Sequence, residues 1–294
     1  MKKDALTLTV IMMAQSSNYG ESIGNFAQLK KMSRFDGNLY TYISRQALRY
    51  NMMNQMHCDN TPVTDKGGVV QFAPEATIKD YPEIDLFGYM KTSSKDENGK
   101  GGQSTRSAVV RLSNAVSLYP YTSDTDYLTN MGLAKRSGMS NAIAQSEIHN
   151  SLYSYTVTID LDRVGVDKLD SETLITLEAA EKARRVKLLL DTIEFLYRDI
   201  KGRRENLAPI FIVGGNYDRK NPYFEGRIEL NRGLLNIELL NNVIQDSEDT
   251  KKNTVIGMLP GILKNEEKIA EKLHPVSISE AFTSLKKSVD EYYG

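Results

Sequence analysis

A chain of 294 residues with 37 Lys and Arg against 38 Asp and Glu carries a formal net charge of −1, which excludes an indiscriminate polybasic coat for nucleic acid and makes any grip on a polyanion local. The single cysteine, Cys58, excludes an intrachain disulfide framework, and no apolar run approaches the ~18 residues of a membrane-spanning helix, so the cytoplasm is the expected compartment. The length is ample for one elaborated domain or two.

The first segment, MKKDALTLTVIMM, superficially mimics a signal peptide. Asp4, Thr7 and Thr9 break its apolar run, and residues 5–13 read better as a strand. The strand ends in a polar turn, and NYGESIG (18–24) follows with two glycines and an aromatic ring. Such a loop can hold a phosphate or stack a base, which makes Asn18, Tyr19 and Gly20 candidate contacts, although an ordinary strand connector has the same composition. No Gly-rich run ends in Gly-Lys-Ser/Thr and no G-x-G-x-x-G opens a helix, so nucleotide-driven chemistry loses support.

Lys30, Lys31 and Arg34 come next, and a helix is expected from an N-cap at Asn38, with Leu39, Ile43, Ala47 and Tyr50 on its inward face. Arg45 and Arg49 then lie four apart on the outward side, with Ser44 and Gln46 beside them. Two stacked arginines are easier to explain with a polyanion between them, though solvated arginines on an exposed face are common. Residues 27–51 hold these five cations against Asp36 alone.

Residues 57–149 contain the turn-rich pieces DKGGVV, SSKDENGKGGQS and NMGLAKRSGMSNA and read as an insertion, with a flexible loop at 93–104. Lys135 and Arg136 in it suit a solvated surface. Tyr153, Tyr155, Val157, Ile159 and Leu161 alternate with polar residues and give the clearest strand. A helix capped by Asp170 or Ser171 is expected to run to about Lys201, with Val186, Leu189, Leu190, Ile193, Leu196, Tyr197 and Ile200 on one stripe. PIFIVGG (209–215) reads as a buried strand, GRIEL (226–230) as its return, and the loop between them carries Tyr217, Arg219 and Lys220, a base wedge and two phosphate contacts. Strand, helix, strand, helix, strand is the skeleton of a split βαβ, ferredoxin-like α+β frame.

The search for chemistry is negative. His57, His149 and His274 are scattered, and no H-E-x-x-H, C-x-x-C or carboxylate cluster has ligand spacing, so neither catalytic residues, nor a metal, nor a cofactor is expected. His57 and Cys58 are adjacent and point apart, unlike a nucleophile and its base. Asp36 is the one acid that could serve a divergent metal-dependent ribonuclease; Asp36-Gly37 is equally an ordinary turn pair.

NYGES-x-GN, LKK and SRQALRY after ALTLTVIMMAQ, RSAVVRLSNAVSLYPY at 106–121, NSLYSYTVTIDLD at 150–162 and LAPIFIVGGNYDRKNPYF at 207–224 closely resemble, in order, the CRISPR-associated DevR-type autoregulator family. The resemblance implies an RRM-like palm (1–56 and 150–294) with an inserted finger region (57–149) and a projecting thumb loop near 214–224. It implies a backbone subunit of type I-B Cascade that polymerises along CRISPR guide RNA, with target DNA read through base pairing. Partners would be further copies of the chain and the large, small and guide-processing endonuclease subunits, with no membrane. The family's older name suggests a transcriptional autoregulator binding DNA as the alternative, yet no helix-turn-helix with a basic recognition helix is legible.

Overall fold

Strand β1 (Ala5–Ala14) is the axis of the computed structural model, which describes residues 3–15, 18–66, 68–92, 103–141, 143–168 and 174–294. Nine of its ten positions are buried, because it is covered on both faces, and this is why its sequence is almost continuously apolar. It leads to β2 (Tyr19–Ile23), β3 (Phe26–Leu29), β4 (Lys31–Ser33) and β5 (Leu39–Ile43), and then to helix α1 (Arg45–Gln55).

Helix α1 therefore starts six residues later than an Asn38 cap would place it. Gly37 and Asn38 instead turn the β4–β5 hairpin, where Arg34 N–H donates to the Asn38 carbonyl at 3.1 Å. After Leu39, the stretch Tyr40–Ile43 is all β-branched or aromatic, Leu39, Tyr40 and Thr41 pair with β4, and Ser44 is the N-cap, its Oγ accepting from Ala47 N–H. The buried face of α1 is Leu48, Met52 and Met53, whereas Tyr50 and Leu39 are exposed.

After α2 (Pro82–Phe87), two short strands, β6 (Val110–Leu112) and β7 (Ala115–Ser117), enter the central sheet by pairing with residues 153–159. They lie within the 57–149 stretch, and their brevity leaves no alternation for a sequence reading to detect. The chain then forms β8 (Thr125–Thr129), α3 (Met131–Ser137) and β9 (Ile143–Glu147) before returning through β10 (Ser151–Asp160), the strand whose alternation is clearest. Helix α4 (Ala179–Glu194) buries Val186, Leu189, Leu190 and Ile193 as expected, but it is shorter than predicted at both ends. Leu174–Thr176 is a strand, and Tyr197–Ile200 pairs with Arg203–Asn206 as a hairpin, so Tyr197 and Ile200 leave the helical stripe; the proposed caps Asp170 and Ser171 lie outside the described residues.

Strand β11 (Pro209–Tyr217) follows, then α5 (Ile237–Gln245), α6 (Glu248–Asn253), β12 (Thr254–Met258), α7 (Glu266–Leu273) and α8 (Ile278–Tyr293). The partner of β11 on its outer side is β12 and not the GRIEL segment. The central sheet has the order β12-β11-β1-β10-β7-β5-β4, with β6 also on β10, and every pair is antiparallel. Within it, β1-α1-β7-β10-α4-β11 traces βαββαβ with strand order β11-β1-β10-β7, the ferredoxin-like arrangement of RRM domains, so the α+β, RRM-like reading holds.

One face of the sheet packs α1, α4 and α8 over Leu6, Leu8, Val10 and Met12; the other packs Ile11, Phe211, Val213 and Tyr217 against α5 and α7. A second sheet, β8-β9-β3-β2, projects as an arm with Tyr127, Leu128 and Ile143 exposed. A dry ion cluster locks α2 to the frame: Asp85, fully buried, pairs with Arg106 at 2.7 Å and with Arg185 of α4 at 2.9 Å. Gly165 N–H also donates to Asp85, which satisfies both carboxylate oxygens.

Candidate nucleic-acid interface

The site grows from the start of α1. Asn18 Oδ1 accepts from both Ser44 N–H (3.2 Å) and Ser44 Oγ (2.7 Å), while the Asn18 carbonyl accepts from Lys30 N–H (2.6 Å). One side chain thus ties the loop after β1, the basic segment and the helix cap together. The amide oxygen is already engaged, which makes Asn18 the pin of the helix start. Arg45 N–H donates to Asn114 Oδ1 at 2.9 Å, fixing the first turn of α1 to the β6–β7 connection.

From that anchored turn Arg45, Gln46 and Arg49 face a groove of about 430 Å³ whose other walls are Phe87, Ala108, Val110, Arg111 and Leu112. Arg45 and Gln46 are exposed, and the Arg45 guanidinium has no side-chain partner among the described residues. Arg49 is held by Glu83 (3.0 Å) and lies 5.1 Å over the Phe87 ring. Arg111 makes a bidentate pair with Asp160, both contacts 3.0 Å, and remains 47% exposed. Three guanidinium groups and a helix N-terminus converging on an open groove favour phosphate oxygens.

The other cations are arranged differently. Lys30 runs its stem across Gly20, so close that a Cβ there would meet Lys30 Cγ at 3.0 Å. Lys31 is bound by both oxygens of Glu147 (2.6 and 2.7 Å) and stands 4.6 Å from the Tyr121 ring centre, so its charge is neutralised at home. Arg34 stacks 4.6 Å over Tyr40. Tyr19 donates its hydroxyl to the Glu147 carbonyl at 3.0 Å and has Lys201 over its ring at 4.0 Å, which leaves it half-buried.

The 214–224 candidates are corrected in part. Tyr217 is fully buried as the last residue of β11, with its hydroxyl 2.9 Å from Thr254 Oγ1, so its ring presents nothing to a base; burial pushes its hydroxyl well above the usual tyrosine range. Gly214 and Gly215 lie inside the strand and not in a loop: a Cβ on Gly214 would stand 2.1 Å from the Thr7 carbonyl oxygen, and one on Gly215 2.0 Å from that of Asn253. Arg219 is exposed, and Lys220 is paired with Asp162 at 2.5 Å and Asp4 at 3.7 Å. Both stand apart from the α1 groove, whose lining includes neither.

Asp36 accepts from Tyr40 Oη (2.5 Å), Asn38 N–H (3.0 Å) and Asn38 Nδ2 (3.1 Å), and these bonds, Tyr40 first, hold its carboxyl below the usual range. It serves as a turn acceptor, and no group of three or more His, Cys, Asp or Glu among the described residues is placed to hold a metal. Cys58 is buried, and desolvation raises its thiol, the opposite of what a nucleophile needs. The groove members that sequence reading missed are Arg111 and Phe87. Their spacing along the chain gives no hint of Arg45; only the βαββαβ closure brings them together.

The frame and groove define an RRM-like α+β platform with a local cationic cleft. The chain belongs to the CRISPR-associated negative auto-regulator DevR/Csa2 family, whose model matches residues 6–230. It is 25% identical over 160 residues to the CRISPR-associated protein Cas7/Cst2/DevR of Myxococcus xanthus (strain DK1622), covering 49% of this chain, and it spans about half of that relative, 53% of its length. Among solved structures, a chain of a CRISPR RNA-guided surveillance complex superposes with a TM-score of 0.59 at 13% identity, covering 98% of both chains. A chain of such a complex in a pre-nicking state gives 0.62 at 10% identity, covering 98% of this chain and 99% of that one. At those identities the likeness is one of fold. No helix among the described residues is long and apolar enough to cross a membrane.

Proposed function

We propose that this chain is a non-catalytic backbone subunit of a type I-B Cascade surveillance complex, holding CRISPR guide RNA along its α1 groove. The observation that carries the reading is the convergence of Arg45, Arg49 and Arg111 on one open groove at a pinned helix start, in a chain whose overall charge is −1. Contacts of this type fix the RNA backbone and leave the bases free, so that base pairing reads the target DNA. Family membership and the fold of RNA-guided surveillance-complex chains support the same reading.

Lys30, Arg34 and Gln46 extend the contact surface, with Gly20 giving Lys30 its path and Ser44 and Asn18 holding the helix start; Arg219 is a second, separate contact. Copies stack head to tail, since a heterologous contact that does not close produces a helical filament. The parts of 57–149 outside the central sheet act as fingers, and the large, small and guide-processing subunits complete the assembly. The test is RNA binding by an Arg45→Glu/Arg49→Glu variant. It should stay folded by circular dichroism and lose guide-RNA affinity by at least about tenfold; undiminished RNA binding sinks the groove. Duplex promoter DNA bound in preference to guide RNA would instead support an autoregulator.

A further inference from the structure

At the far edge of the helical face, α8 crosses β11 and β12 and leaves a cavity of about 450 Å³, within the range of small-molecule sites. Its floor is Gly215 and Asn216. By the two-residue alternation of β11, Asn216 faces with Ile212, whose side chain meets α8 near Ala281, toward the helix. Asn216 is 7% exposed in a strand of otherwise mainly apolar residues, and its Oδ1 has no hydrogen-bond partner. A buried amide oxygen left unsatisfied is rare and opposes folding unless something supplies a donor.

The rim is cationic. Lys3, Lys252 and Lys287 line it against the single carboxylate of Glu291. None of the three amines is locked: Lys3 donates to the neutral Asn253 Oδ1 at 2.6 Å, and Lys252 and Lys287 make exposed pairs with Glu248 at 3.1 Å and Glu291 at 3.8 Å. Such exposed pairs yield readily to a stronger anion. Tyr292, with Leu285, adds apolar wall between floor and rim.

We propose that this cavity binds an organic phosphate of mononucleotide size, with the phosphate among Lys3, Lys252 and Lys287 and a donor of the nucleoside on Asn216. Ammonium groups suit a phosphate as point charges, and the amide oxygen requires a partner that bare phosphate at the rim does not provide. The site shares no lining residue with the α1 groove, so it does not depend on the guide-RNA reading.

The purified full chain should be titrated calorimetrically with adenosine monophosphate and, separately, with inorganic phosphate. The expected result is saturable nucleotide binding at least about tenfold tighter than that of phosphate. A Lys252→Ala/Lys287→Ala variant, which changes only exposed side chains, should weaken it by at least about tenfold while leaving guide-RNA affinity unaltered; Asn216→Ser should bring nucleotide affinity toward that of phosphate. Absence of saturable binding by about 10 mM, equal affinity for the two probes, or no effect of the lysine variant overturns the proposal. A parallel loss of guide-RNA affinity in the lysine variant also overturns it, because the cavity would then belong to the RNA path.

Discussion

Asn18 and Tyr217 both occupy positions where a polar side chain suggests contact with RNA, and both are spent on the protein itself. Asn18 acts through Ser44: its Oδ1 receives the serine hydroxyl that in turn caps α1, so its removal disturbs the direction of Arg45 without touching a phosphate. Asn18→Ala should lower stability by about 1–2 kcal/mol in urea unfolding and weaken RNA binding, whereas Asn18→Asp, which retains the acceptor, should restore both. If Asn18→Asp is as defective as Asn18→Ala, the side chain does more than hold the cap. Tyr217 loses only a bond to Thr254 when changed to phenylalanine. The expected loss is about 0.5–1.5 kcal/mol of stability with RNA affinity unchanged, and a Tyr217→Phe variant defective in RNA binding alone would contradict the buried placement.

At the scale of elements, the long regular pieces were legible because their patterns last. β1, β10 and β11 stay apolar or alternate over nine residues or more and lie where the sequence puts them, while α4 keeps its expected buried stripe of Val186, Leu189, Leu190 and Ile193 between nearer ends. Leu39, Ile43 and Ala47 satisfy a helical spacing from Asn38, yet Tyr40 and Thr41 between them are buried as strand residues, which delays the start of α1. Arg45 and Arg49 share a face all the same, since a four-residue spacing on α1 does not depend on where the helix begins. Arg111 did not emerge because tertiary closure alone brings β6 to α1, and the thumb residues misled because a Gly-Gly pair inside a buried strand has the same letters as a loop.

Helix α4 also carries an acid-sensitive contact. Glu181 pairs with Arg184 at 2.6 Å and with the buried Arg185 at 2.7 Å, and these bonds, Arg184 foremost, bring its carboxyl to about 2 from 4.5. A depressed folded value stabilises above the unfolded one, so this contribution is complete above about pH 4.5 and is lost as pH falls toward 2. Unfolding stability measured across that window should fall less steeply in Glu181→Gln than in the parent chain. Identical slopes would show that the pair contributes nothing.

For the whole molecule, near-neutral charge is managed by pairing cations locally. Of the five cations near α1, Lys31 is neutralised by Glu147 and Arg49 is partnered by Glu83, which leaves Lys30, Arg34 and Arg45 without acidic partners among the described residues. Five phosphate contacts would give a log–log salt slope of roughly −3.5 on single-stranded RNA; the three unpaired cations give about −2 per subunit. Glu83→Gln frees Arg49 and should steepen that slope by about 0.7 while tightening binding at low salt. A slope unaltered by Glu83→Gln would mean that Arg49 does not reach the RNA.

The outer strand β12 is not left open. Val276 lies parallel to it, with Val276 N–H donating to the Ile256 carbonyl at 2.9 Å and Met258 N–H donating to the Val276 carbonyl at 3.0 Å. Two rungs of the ladder are thus filled by the chain's own α7–α8 connection. The opposite border, β4, is three residues long and carries Lys31. Both borders of the sheet are thus unsuited to annealing with a neighbour, so the head-to-tail stacking proposed above would run through side-chain contacts and stay separate from the uncontrolled growth of a cross-β fibre.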